Sequence, residues 1–409
     1  MQLSDINLVD PDIFVGGVPH DQFTFLRREA PVFWHEDVHG GFWALTKHDD
    51  VVHANRDSKL FSSYERSALY NVEDPESIAQ VRLMMLNLDP PDHTKLRLIV
   101  NRGFTPRRIK ELQQSLVDRS RGIVDEIAER GECDFVTDVA CELPLQAIAD
   151  LIGIPQEDRH KVFDWSNRLV GAEDPEFQNS AADAQNAAIE LFLYAQDLAN
   201  DRRKNPRDDI VTDLINAEVN GEALDDMEFN SFFMLLAVAG NETTRNAISH
   251  SMLALMEHPD QRQLLLDDPS LLDGAIEEFL RWATPVMHFK RTAMQDTVMR
   301  GQQIKAGDRV MMWYSSANRD EEVFDDPFRF NVRRDPNLHT LHSAFGGGGA
   351  HFCLGANLAR AEMKVIFDEL LRRIPDMQLA GGPARLRSNF INGLKHLPVQ
   401  FTPVARSDA

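Results

Sequence analysis

A cysteine stands beside a run of four glycines in residues 342–355, His342-Ser343-Ala344-Phe345-Gly346-Gly347-Gly348-Gly349-Ala350-His351-Phe352-Cys353-Leu354-Gly355, and a helical pattern begins at Ala356. Glycines let backbone amides approach a bulky ligand and adopt positive φ. A helix N-terminus adds partial positive charge, which favours a thiolate over a thiol. The chemistry implied is that of an anionic sulfur ligand. Two other readings fail on spacing. A dinucleotide fingerprint needs a third glycine where His351 or Phe352 stands, and a phosphate-binding loop needs a Gly-Lys-Ser/Thr that is absent. An inert buried cysteine stays open. So does a zinc site drawn from His339, His342, His351 and Cys353, although its spacing matches no standard pattern.

Three more groups carry polar chemistry. Ala239-Gly240-Asn241-Glu242-Thr243-Thr244 places an acid and two hydroxyls in the middle of an apolar helical stretch. The hydroxyls can bond back to the preceding turn, so a local kink is expected there. Glu278 and Arg281 are three apart on a helix and can pair. His93 and Arg97, after Asp89-Pro90-Pro91-Asp92, are four apart on one face and can both reach carboxylates.

The elements that must position these residues are mostly helical. Apolar residues recur at spacings of three and four over 107–128, 181–203, 225–257, 272–282 and 356–374. The third of these reads as one helix of about 33 residues, about 50 Å long, which must cross the whole molecule. Strand signals are shorter: 41–46, 297–304, 309–313 and 399–403. No repeat, low-complexity run or linker divides the 409 residues, so one continuous domain is expected over 1–409.

Composition narrows the partners. Lys plus Arg number 43 against 65 Asp plus Glu, a formal charge of −22 that repels phosphate backbones and argues against nucleic acid. Three cysteines, Cys133, Cys141 and Cys353, are too few for a disulfide scaffold and fit a reducing cytoplasm. The first fifteen residues show neither a basic nor an apolar leader region, and the longest central apolar run, 232–239, falls well short of a membrane span, so no membrane anchor is expected.

Phe345, the glycines, His351, Cys353 and Gly355 resemble the haem-binding loop of the cytochrome P-450 family, with one residue more between Phe345 and Cys353 than the family's usual spacing. Glu278-Phe279-Leu280-Arg281 resembles the family's E-x-x-R. Ala239-Gly240-Asn241-Glu242-Thr243 is similar to its oxygen-activating stretch, and Asp89 to Arg97 to its D-P-P-x-H-x-x-x-R helix start.

The resemblance implies a mainly α fold, a helical domain with a long central helix and small β-sheet regions. It implies haem b with Cys353 as the iron ligand, and cofactor contacts from His93, Arg97, Ala239, Gly240, Arg291, Phe345, His351 and Gly355. Glu242 would supply protons, Thr243 would hold oxygen or water, and Gly240 would open the helix for dioxygen. Glu278 and Arg281 would form a structural ion pair, joined by Arg329 or Arg333. Met85, Leu235, Val238, Val286, Met287, Phe390 and Ile391 would line an apolar substrate site.

The implied activity is insertion of one oxygen atom from O2 into a C–H bond of a hydrophobic substrate, with a branched lipid, terpenoid or steroid side chain expected. No flavin or nicotinamide module fits in the chain, so electrons would come from a ferredoxin with a separate ferredoxin reductase. Arg102, Arg107, Arg108, Lys110 and Arg360 are the expected basic docking patch. A haem-binding sensor or carrier without monooxygenase activity is the alternative.

Overall fold

The computed structural model describes residues 1–101, 103–178, 180, 182–219, 222–335, 337 and 340–407. Arg102 and His339 therefore lie outside the described residues, as does Ala181 at the start of one expected helix. The central helix runs unbroken over Asp226–Glu257, 32 residues or about 48 Å at 1.5 Å per residue. Its start is fixed by a capping box: Asp225 accepts from the Met227 and Glu228 backbone N–H groups at 2.8 Å, and the Glu228 carboxylate accepts from Asp225 N at 2.9 Å. Its end is set by Pro259, which opens the next helix, Pro259–Asp267. The helix is buried on nearly every side, as its apolar composition requires. Through Ala239 to Thr244 the helix continues, with Thr243 Oγ1 donating to Ala239 O at 2.9 Å.

Around it pack Glu142–Ile152, Arg159–Val170, Asp183–Lys204 and Leu272–Ala283, while Ala356–Arg373 lies against Pro106–Ala128. All five expected helices have limits within one or two residues of those expected. In the fourth expected strand region only Pro398–Gln400 is strand, pairing with Gln378–Leu379 and Glu132–Asp134. The expected single strand over 297–304 is a hairpin, Thr297–Met299 and Gln302–Ile304, because Arg300 and Gly301 take φ of +45° and +81° and reverse the chain.

One sheet matters for the site. Its strands are β1 (Val32–His35), β2 (Phe42–Leu45), β3 (Phe61–Ser62), β4 (His288–Ala293) and β5 (Arg309–Trp313), in the order β1-β2-β5-β4-β3. Strand β4 gives no apolar alternation, since it reads His-Phe-Lys-Arg-Thr-Ala, yet it is almost wholly buried. It pairs antiparallel with β5, Arg291 opposite Val310. Side chains alternate in a strand, so Phe289 and Arg291 share one face, which lines a cleft, while Lys290 turns the other way to pair with Glu73.

The Glu278–Arg281 pair forms as expected and is fully buried, with bonds of 2.7 and 2.8 Å. The expected third member is corrected. Arg329 and Arg333 are exposed, and Arg334 makes the bond, Nε to Glu278 Oε2 at 3.0 Å. The turn after Phe330 is pinned by Asn331 N donating to Glu278 Oε1 at 3.0 Å, and this brings Arg334 rather than its neighbours back onto the acid.

Removing one member of a buried pair leaves the other charge uncompensated, so Glu278→Ala is expected to cost about 3–5 kcal/mol in urea unfolding. Arg334→Ala should cost about 1.5–3 kcal/mol, the worth of a hydrogen bond to a charged group. Arg329→Ala should stay within about 0.5 kcal/mol, as an exposed site does. An Arg329 effect as large as that of Arg334 would contradict the assignment.

Candidate haem site

Cys353 is presented by the loop 342–355 at the start of the helix Ala356–Arg373, its N–H donating to Phe345 O at 3.0 Å. The four glycines all have positive φ, and three of them seat the loop on another helix, His48–Arg56, not on a ligand. A Cβ on Gly349 would lie 2.4 Å from Asn55 O, and one on Gly348 would lie 2.8 Å from Arg56 Nε. Only Gly346 faces the cleft. Burial pushes the Cys353 thiol pKa up, and the Gly355 N–H, Arg97 and Arg360 act in the opposite direction. Cys133 and Cys141 sit in the core with thiols pushed up to about 12 by burial, and both are free.

The cleft has a volume of about 1420 Å³ including its open mouth. One wall is the cysteine loop with Phe345, whose ring lies 4.6 Å under the Arg360 guanidinium. Another is the central helix, where Ala239, Gly240, Thr243 and Thr244 share a face. Gly240 is required by packing as well as by the cleft, since a Cβ there would lie 2.6 Å from Ile148 Cδ1. Gly240 also lines the cleft beside Thr243, where the expected opening for dioxygen would lie.

At one edge four basic groups converge. His93 and His351 have ring centroids 4.2 Å apart, and His351 Nε2 lies 3.2 Å from Ser63 Oγ. Arg97 donates to Ala350 O at 3.2 Å and Phe352 O at 2.6 Å, tying its helix, Asp92–Val100, to the cysteine loop. Arg291 is fully buried and donates to Lys290 O at 2.8 Å. Among the described residues neither arginine has an ion-pair partner, and His93 Nδ1 has no hydrogen-bond partner. Burial, then Arg97, hold His93 down to about 4; burial, then Arg291, hold His351 down to about 2. Uncompensated cations beside an apolar cleft containing a thiol fit a flat apolar ring that carries carboxylates and a thiolate-seeking metal.

A family described as Cytochrome P450 matches residues 11–374. The chain belongs to the cytochrome P450 family. Its cofactor is haem b, and it is a monooxygenase. Among relatives of this P450, a steroid C26-monooxygenase of Rhodococcus jostii (strain RHA1) is 47% identical, over 97% of this chain and 84% of that one. A methyl-branched lipid omega-hydroxylase of Mycobacterium tuberculosis (strain ATCC 25618 / H37Rv) is 44% identical, over 98% of this chain and 95% of that one. A Mycobacterium marinum cytochrome P450 solved in complex with pseudoionone superposes with a TM-score of 0.91 at 40% identity, over 97% of this chain and 98% of that one.

Several expected site residues of this P450 lie elsewhere. Glu242, about 100° round the helix from Thr243, is outside the cleft lining and pairs with Arg245, which donates to Asn167 Oδ1 at 2.8 Å. Burial raises its pKa and Arg245 opposes that. Of the expected substrate residues, Met85, Leu235 and Val286 line the cleft. Val238 is not among the residues that line it. Met287, next to Val286 on extended chain, faces the opposite way into a core with Phe42 and Trp313. Ile391 bridges to Val286, and the Phe390 ring lies 5.5 Å behind Phe289, so both back the wall instead of forming it. His342 bonds to Glu277 at 2.9 Å, and among the described residues no cluster of three or more His, Cys, Asp or Glu could hold a metal ion; His339, the fourth member of the zinc alternative, lies outside them.

Residues the sequence did not single out include Asn55, Phe104, Ile148, Tyr314 and Glu362, all lining the cleft, and Glu277, which holds Arg360 at 2.6 Å. Glu277 could have been noticed as a second acid beside Glu278.

The two histidines generate a pH prediction. An unfolded histidine titrates near ~6.5, and folding depresses both pKa values, so the unfolded chain binds more protons below that pH. Their contribution to stability is complete above pH ~6.5 and is lost as pH falls towards about 4 for His93. Urea midpoints of the cofactor-free protein should fall over this window, less steeply in His93→Gln and less steeply with haem bound. Identical slopes for all three would refute the assignment.

Proposed function

We propose that this P450 hydroxylates a branched hydrocarbon terminus, on a steroid side chain or a methyl-branched lipid. The observation that carries the reading is a cleft shared by Cys353 and Thr243 and walled by Met85, Leu235, Leu236, Val286 and Phe289. An alkyl group burying about 300 Å² against such walls gains roughly 7 kcal/mol before ordering costs. The names of the relatives point to the same two substrate classes.

In this reading Cys353 is the iron ligand, and Arg97, Arg291, His93 and His351 receive the haem carboxylates, with Phe345, Ala239 and Gly240 against the ring. The bound haem-thiolate supplies dioxygen activation, the thiolate's electron donation favouring O–O cleavage. The Gly355 N–H and the charges of Arg97 and Arg360 stabilise the anionic sulfur. Thr243 turns its hydroxyl from Ala239 O to hold water or a proton in the cleft. Glu242 reaches the cleft only by leaving Arg245, so its role is gated by that ion pair.

Electrons are read as coming from a ferredoxin with its own reductase. The expected docking patch is weaker than its composition, because Arg107 pairs with Glu111 at 3.1 Å, Arg108 with Asp208 at 2.9 Å, and Arg360 with Glu277. Lys110 stays exposed. We read residues 1–409 as one domain working in a reducing cytoplasm. Support comes from the free thiols of Cys133 and Cys141. No described helix is long and apolar enough to cross a membrane.

Cys353→Ser should abolish the strongly red-shifted Soret band of the reduced carbon monoxide complex. Cholesterol and a methyl-branched fatty acid should each be tested for the spectral shift that follows displacement of iron-bound water. Absence of a shift with both would reject the substrate class. With whichever compound binds, Thr243→Ala should lower product formed per oxygen consumed by about tenfold or more, with binding retained.

A further inference from the structure

The segment that follows the helix Leu272–Ala283 carries two lining residues of the cleft, Pro285 and Val286. Its first residue, Thr284, is held at φ +38°, a left-handed backbone that a β-branched side chain avoids, and a following proline favours extended backbone instead. Three bonds keep it there. Its N–H donates to Leu280 O at 3.0 Å, its Oγ1 donates to Arg281 O at 2.8 Å, and Asn318 Nδ2 donates to that Oγ1 at 2.9 Å. Strain of this kind persists only where the surroundings over-determine it. Here it turns the chain so that Pro285 and Val286 enter the cleft.

A residue outside the lining fixes where that segment stops. Asn392, in the turn 388–394, donates through Nδ2 to Ala283 O at 2.6 Å and through its backbone N–H to Pro285 O at 2.8 Å. Its own carbonyl accepts from His250 Nε2 at 3.0 Å, on the central helix just beyond the lining residue Ala247. A carbonyl only accepts, so Nε2 carries the hydrogen; burial, then the charge of Arg385, hold the ring's pKa down to about 3 and keep it neutral. Four residues earlier Asn246 extends the frame: its Nδ2 donates to Glu242 O at 2.8 Å, which aims its Oδ1 at the Leu394 N–H, 3.0 Å away. Ile391 lies between these anchors and is bridged to Val286. The span from Val286 to the Thr243 and Ala247 face is thus set by bonds behind the wall, and Asn392 is tied to both sides of it.

We propose that Asn392 is a positioning residue for the reaction: it sets how far Val286 projects over the cleft, and so which carbon of a branched alkyl end is presented for hydroxylation. The inference rests on the substrate class proposed above. In such an end the tertiary C–H bond is weaker than a methyl C–H bond, so attack on a terminal methyl requires a wall that keeps the branch carbon away. Both products have the same balance: one C–H becomes C–O–H, two electrons and two protons are consumed, and the second oxygen atom leaves as water. Only geometry separates them.

The test uses the haem-loaded full chain and an iso-branched fatty acid. Hydrogen peroxide supplies the oxygen atom and is itself reduced to water, so no redox partner is needed. Asn392→Ala and Asn392→Asp should each lower the ratio of terminal to branch-carbon alcohol at least about threefold, the second by setting a carboxylate against Ala283 O. His250→Leu should shift the ratio the same way, and His250→Gln, which keeps a donor, should restore it. Asn389→Ala removes bonds from the same turn to Leu8 O and Val9 O and leaves the frame intact, so it should lose stability with the ratio unchanged. Parental ratios in both Asn392 variants, an equal shift in Asn389→Ala, or no difference between His250→Gln and His250→Leu overturns the proposal.

A second readout needs no substrate. The dissociation constants of imidazole and phenylimidazole, read from the shifted Soret band, compare a slim iron ligand with a broad one. Asn392→Ala should change their quotient at least about threefold, and Asn389→Ala should not. An unchanged quotient in Asn392→Ala overturns the proposal. If the parent converts no branched acid, the substrate class falls, and the imidazole pair still decides whether Asn392 sets the wall.

Discussion

Two adjacent buried carboxylates on one helix, Glu277 and Glu278 of Leu272–Ala283, hold the cysteine loop to the rest of the molecule. Glu277 takes His342 at one end of the loop and Arg360 just beyond the other, so the segment carrying Cys353 is clamped on both flanks. Its own pKa is held at about 2, the gains from His342 and Arg360 outweighing the cost of burial. Glu278 takes Arg281, Arg334 and the backbone of Asn331, and Arg281 in turn donates to Asn318 O and Pro327 O at 2.8 and 2.9 Å. Buried ion pairs contribute little net stability once desolvation is counted. What they impose is geometry. Each donor has one partner it can reach without leaving a charge stranded, and this fixes where the thiol sits.

The glycine run obeys the same constraint from the other side. Its left-handed backbone permits the loop to lie against Asn55 and Arg56 at distances no side chain would tolerate. Asn55 also accepts from Tyr314 at 3.1 Å and lies within 3.5 Å of Arg291, so the helix that seats the loop also touches the basic edge of the cleft. Across the longer loop the Cys353 N–H still reaches Phe345 O at 3.0 Å.

Much of the architecture was legible because long helices with apolar stripes carry a strong periodic signal, as in Asp226–Glu257 and Ala356–Arg373. Strand β4 was not, because it buries polar residues in place of an apolar alternation, and the partner that accommodates one of them, Glu73 for Lys290, is far away in sequence. The chemistry was legible at residues whose type is unusual in context: Cys353 among glycines, Thr243 in an apolar helix, His93 and Arg97 at helical spacing. It failed where a neighbouring position decides the outcome. Val286 against Met287, Thr243 against Glu242, and Arg334 against Arg333 each differ by one residue, and one residue reverses a strand face or turns a helix face by about 100°. Resemblance locates the segment, and only the fold sets its phase.

The basic edge of the cleft explains why cofactor and fold are coupled. A chain with formal charge −22 has ample carboxylates to neutralise Arg97 and Arg291, and almost every other buried arginine has one. Leaving these two unpaired, beside two imidazoles forced neutral, costs stability in the absence of haem. Carboxylates arriving with the cofactor would remove that cost, by pairing with the arginines and favouring the protonated imidazoles at once. Anything that binds the folded chain and not the unfolded one stabilises it in proportion to its affinity. The site therefore trades stability without the cofactor for affinity towards a dianionic, flat ligand, and its selectivity lies in what the edge lacks as much as in what it presents.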